Sequence, residues 1–440
     1  MSSLGTISSP HVGMKINEWN RHIQKFNVTD AEMLKAEIER DIEIMEEDQD
    51  LLIYYQLITF RHQLMIDYVI PSEGNQMELS EYLKRIEGSN RKMEKLVEYY
   101  YYFFQGMYEF KEGNFLSAIT FYQKAENTIP YISDEIERAE FYFKMAEVFY
   151  HMKQTHVSMH YSSQAYNIYK THDLYSVRRI QCHFVIAGNY DDLESHEKAL
   201  PHLEQALKGA RLLESKNKRI YGQALFNIGN CYLKMGELTK AAKYMEQSIL
   251  QFKKSNFNNL TQAYHDLALI YFLQHKQDQA MDCFRKGVRF ACKFDDGLFK
   301  IMFEGLQVLF VKKGEASILL NVFNKLETSQ GYPYMEELAL LAAKFYTEIG
   351  QMDDSVICFK KMVMPANKFR EGIVCMKFKL TLCAVIALIG VSFISSSLGN
   401  EVNVASRNMT SKAANDSTNS LADKAIFDKE MTIAENGTLG

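Results

Sequence analysis

The chain has few of the residues that interrupt helices, and it lacks the cysteine patterns of secreted or metal-binding domains. Six prolines in 440 residues, together with 47% hydrophobic residues, favour a helix-rich protein. The seven cysteines are scattered and form no Cys-x-x-Cys pair, so we expect reduced thiols in a cytoplasmic protein. A net charge of −5 argues against a nucleic-acid groove as the main binding surface.

Familiar catalytic motifs are also absent from the sequence. It contains no Gly-rich phosphate loop, no His-Glu-x-x-His pair and no nucleophile elbow. Residues 1–12 lack a basic-then-apolar leader, so we expect no export signal at the N-terminus. Any catalysis therefore depends on few residues or uses a cofactor that the substrate holds.

What the sequence does contain is a pattern that returns about every forty residues between residues 99 and 364. A small residue is followed twelve positions later by a second small residue, in the pairs Gly106/Ala118, Ala146/Ser158, Ala187/Ala199, Gly229/Ala241 and Ala268/Ala280. Small residues let two antiparallel helices approach closely, and bulky residues fill the remaining space. The pattern resembles the tetratricopeptide repeat (TPR), with a degenerate sixth unit and a seventh near the end. It predicts a right-handed superhelical solenoid whose concave surface binds peptides or helices.

The first 70 residues are predicted to form a separate three-helix bundle. Its helices are expected to begin near Val12, after a cap at Thr29 or Asp30, and at Leu51, the last of these running to about Val69. We assign residues 1–70 to this bundle, 71–95 to a linker, 96–375 to the TPR array and 376–440 to a distinct tail. The predicted fold is therefore all-α, a bundle joined by a linker to a TPR solenoid.

An acidic segment, Met45-Glu-Glu-Asp-Gln-Asp50, interrupts the apolar stripe of the second helix. Continuing the helical period would place Gln49 in the core. Either the helix ends here and Asp48 or Asp50 caps the next one, or Gln49 lies at an exposed edge of the bundle. Both alternatives put an acid-flanked carboxamide at the surface, which fits a solvated helix junction as well as a functional site.

Two other features favour structural roles. The run from Tyr99 to Tyr102 is expected to pack in the core, because consecutive helical residues point in different directions and cannot form one stacking platform. His151, His156 and His160 have helix-like spacing but no nearby Cys or carboxylate, so we expect surface histidines and no metal site.

Together, the array and the acidic segment resemble the Rap family of spore-forming bacteria, the response regulator aspartate phosphatases, over about residues 14–374. The resemblance rests on Gly13-Met-Lys-Ile-Asn-Glu-Trp19, Met45-Glu-Glu-Asp-Gln-Asp50, Phe60-Arg-His, Phe104-Gln-Gly-Met-Tyr108, Ala139-Glu-Phe-Tyr-Phe-Lys-Met145 and Tyr150-His-Met-Lys-Gln-Thr155. It implies a phosphatase whose bundle engages a response regulator, of the sporulation phosphorelay type, and whose groove binds a short inhibitory peptide. The alternative is a non-enzymatic protein that sequesters a DNA-binding response regulator. A DNA-binding transcription factor is disfavoured, because residues 30–50 hold ten acids against two basic residues.

The resemblance also implies roles for single residues. Glu47, Asp48 and above all Gln49 match the family's active element, in which the glutamine orients a water towards an aspartyl phosphate. The divalent metal, Mg²⁺, belongs to the regulator's own pocket, so no cofactor is expected on this chain. The residues that match the family's peptide pocket are Asp192, Asn227, Tyr150 and Glu304. The asparagine is expected to bind the peptide backbone and the aspartate an arginine of the ligand.

The composition changes after Cys375. A basic start at Met376-Lys-Phe-Lys379 precedes an apolar run over residues 380–394, which is the anatomy of a secretory signal peptide and is short for a membrane span. Downstream, Ser406, Arg407, Asn408, Met409 and Thr410 are similar to the pentapeptides matured from Phr precursors. We interpret residues 376–440 as a Phr-like precursor joined in frame to the preceding domains. Three explanations fit this arrangement: a natural fusion, loss of a stop codon, or a tail that folds back and inhibits its own array. A membrane anchor through residues 380–394 is the alternative.

Overall fold

The structure is a computed structural model that describes residues 6–69, 95–215, 217–255, 259–312, 314, 316–328 and 331–363. Within these ranges the regular elements are helices, and one isolated β-bridge joins Ile7 to Met45. The predicted linker up to residue 94, the apolar run 380–394 and the candidate ligand at residues 406–410 lie outside the described residues.

Three helices form the N-terminal bundle: α1 (Ser9–Gln24), α2 (Val28–Ile42) and α3 (Gln49–Val69). The first begins before the predicted Val12, because Pro10 fits the first helical turn, where its missing N–H leaves no bond unmade. The second begins at Val28 after Asn27, so the predicted cap at Thr29 or Asp30 is wrong. Asp30 instead accepts a hydrogen bond from the Asn27 side chain within the first turn.

The bundle core is built on helical stripes from α1 and α3. Trp19 and Ile16 of α1 are fully buried, and so is Ile58 of α3. In the stripe predicted for α2, Ile38 is fully buried. Met45, the last member of that stripe, lies beyond the end of the helix and is half-buried at the bridge to Ile7. The apolar period therefore continues past the helix that it predicts.

Seven antiparallel helix pairs follow within the described residues. They are α4 (Lys95–Lys111) with α5 (Phe115–Glu126), α6 (Glu135–His151) with α7 (Thr155–Tyr169), α8 (Ser176–Asp192) with α9 (His196–Leu212), α10 (Lys218–Lys234) with α11 (Leu238–Ser255), α12 (Leu260–Leu273) with α13 (Gln277–Lys293), α14 (Gly297–Leu306) with α15 (Ala316–Thr328), and α16 (Tyr332–Glu348) with α17 (352–363). The all-α class, with an N-terminal bundle and a TPR solenoid, is confirmed.

Close helix contacts explain the small residues of the repeat. Ala118 and Ala146 are fully buried, and a Cβ added at Gly106 would collide with the Tyr122 ring of the paired helix. In the sixth pair, α14 continues into a π-helical turn at Gln307–Val311, which accounts for the weaker pattern in the sequence.

Aromatic rings join the bundle to the first repeat. Tyr54 of α3 lies 5.1 Å from Tyr100 of α4, and Phe60 lies 5.7 Å from Phe104, measured between ring centroids. Tyr99 is fully buried, as is nearly all of Tyr100. The prediction that the tyrosine run packs in the core is confirmed for these two, and Tyr101 and Tyr102 are half-buried beside them.

A buried ionic cluster reinforces the same junction. The Arg61 guanidinium of α3 donates to Glu137 at 2.7 Å and lies 3.2 Å from a carboxylate oxygen of Glu140, both on α6. Arg178 of α8 donates to Glu140 from two nitrogens, at 2.5 and 2.7 Å. Burial opposes the ionisation of Glu140, but the two guanidinium groups outweigh it and lower the pKa of that carboxyl to about 2. Charged groups from three helices are therefore paired out of contact with water.

Candidate functional site

The acidic segment forms a short loop between α2 and α3. Ile7 holds its first half: the Ile7 N–H donates to the carbonyl of Ile44, and the Glu46 N–H donates to the carbonyl of Ile7, both at 3.0 Å. The chain ahead of α1 thus fixes the loop that leads to α3. This long-range bridge has no signature in the sequence pattern.

Asp48 begins α3. Its Oδ1 accepts a hydrogen bond from the backbone N–H of Leu51 at 3.0 Å, and its carbonyl accepts one from Leu52. The side-chain bond satisfies the Leu51 N–H, which the first turn of a helix would otherwise leave without a partner, and the carbonyl bond is the first of the helix itself. Of the alternatives left open by the sequence, a helix end with Asp48 as the cap is therefore correct, and Asp50 is not the cap.

Gln49 is the first residue of α3, and its side chain is exposed. Its Nε2 donates a hydrogen bond to Glu47 Oε1 at 3.0 Å. Since this bond orients the amide, Oε1 and the second N–H are left for other partners. A carboxamide held in this way can accept from a water molecule and donate to an anionic oxygen at the same time. The three predicted residues thus lie together, with Glu47 and Asp48 placed to position Gln49.

A second candidate site is a cavity of about 420 Å³ on the inner side of the array. Its lining comes from the first helix of the second to the seventh pairs and from the turn after α6: Tyr150, His151, Lys153, Asp191, Asp192, Asn230, Leu233, Lys234, Gln262, His265, Asp266, Leu269, Met302, Pro333, Tyr334, Glu337, Leu338 and Leu341. The volume is in the range of ligand pockets, about 300–1,000 Å³.

Two of the four predicted peptide-binding residues line this cavity. They are Tyr150 and Asp192. Asn227 is half-buried on α10, about one turn from the lining residue Asn230, and does not itself line the cavity. Glu304 lies outside it as well and forms an ion pair with Lys325 at 2.6 Å. The structure therefore brings only half of the predicted set to the cavity.

Charged pairs cross the cavity wall. Lys153 donates to Asp192 Oδ1 at 2.5 Å, while Asp192 Oδ2 is buried and has no hydrogen-bond partner in the described part of the chain. Asp191 pairs with Lys234 and with His196, the latter at 2.6 Å. One carboxylate oxygen of Asp192 is thus unpaired among the described residues.

Several lining residues were not predicted, but the sequence contains a signal that identifies one of them. Tyr150, Asp192 and Lys234 are each 42 positions apart, the same place in three successive repeats. Extending the repeat register from Tyr150 would have found Lys234. Glu337 and His265 lie in later repeats with shifted spacing, so the register alone does not reach them.

Within the described ranges, no group of three or more His, Cys, Asp or Glu residues is placed to hold a metal ion. His151, His156 and His160 are exposed, which confirms the prediction of surface histidines. No helix in the part of the chain that the structure describes is long and apolar enough to cross a membrane.

A three-helix bundle joined to a TPR array that holds a cavity defines the class, an all-α TPR protein. Residues 6–67 match the family model described as response regulator aspartate phosphatase H, N terminal, and residues 220–293 match a tetratricopeptide repeat model. The chain is 64% identical to response regulator aspartate phosphatase E of Bacillus subtilis (strain 168), over 83% of this chain and 98% of that protein. It is 47% identical to phosphatase A of the same strain, over 83% and 97%. The chain belongs to the Rap family of response regulator aspartate phosphatases.

Solved structures support the same assignment. A Rap protein complexed with competence and sporulation factor is 38% identical, covers 82% of this chain and 99% of its own, and superposes with a TM-score of 0.75. The apo form of RapI is 33% identical, covers 82% and 99%, and gives a TM-score of 0.63.

Proposed function

We propose that this protein hydrolyses the aspartyl phosphate of a response regulator, of the sporulation phosphorelay type. The observation that carries the proposal is the exposed Gln49 held by Glu47, on a chain 64% identical to a named aspartate phosphatase. Non-enzymatic sequestration of a regulator is less well supported, since relatives named only as regulatory proteins are less similar, RapC at 42% and RapF at 37%.

In the proposed reaction, Gln49 Oε1 accepts a hydrogen bond from a water molecule and aims its oxygen at the phosphorus. The water attacks in line, the bond between phosphorus and the aspartyl oxygen breaks, and inorganic phosphate and a free carboxylate result. Glu47 orients the carboxamide, and Asp48 fixes the start of the helix that carries it. A divalent cation such as Mg²⁺ in the regulator's own pocket would offset negative charge.

The cavity of the array is proposed to bind a short Phr-type peptide that inhibits the phosphatase. One similar structure is of a Rap protein complexed with competence and sporulation factor. The free Oδ2 of Asp192 would accept from an arginine of the peptide, and Tyr150 would contact the same ligand. Roles for Asn227 and Glu304 require the ligand to extend beyond the cavity.

The C-terminal tail is proposed to be the precursor of such a peptide, with Ser406–Thr410 as the ligand. Supporting this, 98% of phosphatase E aligns with only 83% of this chain, so a segment of the chain has no counterpart in that relative. The phosphatase part is proposed to act in the cytoplasm. Mass spectrometry of cells and medium would show whether Ser-Arg-Asn-Met-Thr is released.

Release of labelled phosphate from a panel of phosphorylated response regulators tests the proposed activity. The full chain should release free phosphate from at least one regulator, and synthetic Ser-Arg-Asn-Met-Thr should suppress the release. Stable complexes with a regulator that keeps its label would favour sequestration.

A further inference from the structure

Glu337 lies at the far end of the array from the predicted peptide residues, yet it lines the same cavity. It is carried by α16 of the seventh pair, whereas Tyr150 and Asp192 come from the second and third pairs. Among the described residues Lys153 pairs with Asp192 and Lys234 with Asp191, and neither lysine forms an ion pair with Glu337. Glu337 is therefore a carboxylate without a fixed counter-ion.

The cavity as a whole has an excess of negative charge. Its lining carries four carboxylates, on Asp191, Asp192, Asp266 and Glu337, against the two ammonium groups of Lys153 and Lys234. Desolvation raises the pKa of Glu337; Lys234, Lys153 and His265 act in the opposite direction, and Asp266 adds to the increase. The Glu337 side chain is nevertheless exposed at the cavity surface, where a cationic ligand group could reach it and pair with its charge.

His265 provides an independent indication of a ligand. It is only 4% exposed, and it lines the cavity. Its Nδ1 lies 2.9 Å from Asp266 Oδ1, a contact that fits the tautomer with its hydrogen on Nδ1, in which Nε2 is an acceptor. This Nε2 is buried and has no hydrogen-bond partner within the described ranges. A buried acceptor beside an unpaired carboxylate fits a ligand group that has positive charge and several N–H donors.

We propose that Glu337 and His265 form a subsite for a cationic group of the peptide, and that the group is the free α-ammonium. This inference rests on the proposed peptide binding. A peptide with one arginine has two cations; Asp192 keeps a free oxygen for the guanidinium, which leaves the α-ammonium for Glu337. Its three N–H donors can serve the carboxylate and the imidazole together.

The subsite has a consequence for the tail. Within the intact chain, the nitrogen of Ser406 is part of a peptide bond with Ala405 and carries no positive charge. The cavity would therefore distinguish the released pentapeptide from the same residues still joined to the protein. Inhibition would depend on cleavage, and the uncleaved chain would remain active.

Calorimetric binding of free and N-acetylated Ser-Arg-Asn-Met-Thr to the full chain tests the subsite. Acetylation should weaken binding to the wild-type chain by about tenfold or more. Glu337→Gln should weaken binding of the free peptide to a similar extent and cause no further loss for the acetylated one. Glu336→Gln, which changes an exposed neighbour on α16 outside the cavity, should behave as wild type. Retained phosphatase activity without peptide shows that each variant is folded.

Three outcomes would overturn the inference. Glu337→Gln could bind the free peptide as tightly as wild type, or it could weaken the free and acetylated peptides equally. A peptide with citrulline in place of arginine could instead show the coupling to Glu337, which would assign this carboxylate to the guanidinium. Failure of the wild-type chain to bind any of these peptides would refute the proposed peptide control itself, a result distinct from these three.

Discussion

The buried ionic cluster is expected to hold the bundle against the array, and replacement of Arg61 tests this role. Arg61→Met keeps an unbranched side chain but removes the guanidinium that donates to Glu137 at 2.7 Å. Glu140 keeps its two bonds from Arg178. The loss of stability should therefore come from Glu137, which is 2% exposed and loses its ion pair.

The size of the stability loss depends on which hydrogen bonds Glu137 loses and which it keeps. Removing one partner of a buried ion pair typically costs about 3–5 kcal/mol. Glu137 still accepts hydrogen bonds from the side chains of Asn20 at 2.9 Å and Gln24 at 2.5 Å. We therefore expect the free energy of unfolding to fall by about 3 kcal/mol, the lower end of that range. In the double variant Arg61→Met/Glu137→Gln no unpaired charge remains at this position, so part of the stability should return.

Hydrogen exchange measured along a urea titration separates the two parts of the molecule. Amides of α1 and α3 should lose protection in Arg61→Met, while those of α10 to α13 keep theirs, since the cluster contacts only the first repeats. A decrease in the free energy of unfolding of less than about 1 kcal/mol, as for an exposed ion pair, would refute the stabilising role of Arg61. So would a double variant no more stable than the single one.

Three further predictions concern the bundle and the array. Burial lowers the pKa of His62. The contribution of this side chain to stability is therefore complete above the pKa of the unfolded state, about 6.5, and declines as the pH falls below that pKa. The pH dependence of thermal unfolding should flatten in His62→Gln. A Cβ at Gly287 would collide with the Phe303 ring, so Gly287→Ala should cost about 1–3 kcal/mol in denaturant unfolding. Gly297→Ala meets open space and should not destabilise. Asp48→Ala should lower kcat with little change in KM. Asp48→Asn, which can also cap a helix, should keep kcat near the wild-type value. An inactive asparagine variant would instead give the carboxylate a chemical role.

The features that depend on local pattern could be predicted from the sequence. The spacing from Gly106 to Ala118, repeated along the chain, identifies the hairpins because their close contact admits only small residues. The break before Gln49 predicts a helix boundary, since polar residues replace the apolar stripe. Capping by Asp48 follows the same local chemistry, although the pattern alone did not exclude Asp50.

Features that depend on distant contacts could not be predicted in this way. The bridge from Ile7 to the acidic loop uses backbone groups, which carry no residue preference. The pairing of Arg61 with Glu137 joins positions 76 residues apart. The cavity combines side chains from six helices, so Glu337 lines the same cavity as the predicted residues only in the folded solenoid. Resemblance to the family identified Asp192 but not this later residue.

The central claim is that Gln49 performs the chemistry while Glu47 and Asp48 position it. Its most direct test is phosphate release from a labelled response regulator by the Gln49→Ala variant, with regulator binding measured in parallel. Because the side chain is exposed and, within the described residues, its one bond to another side chain is to Glu47, the variant should fold and bind normally. Phosphate release should fall by about 10²-fold or more. Wild-type release by Gln49→Ala would contradict the account.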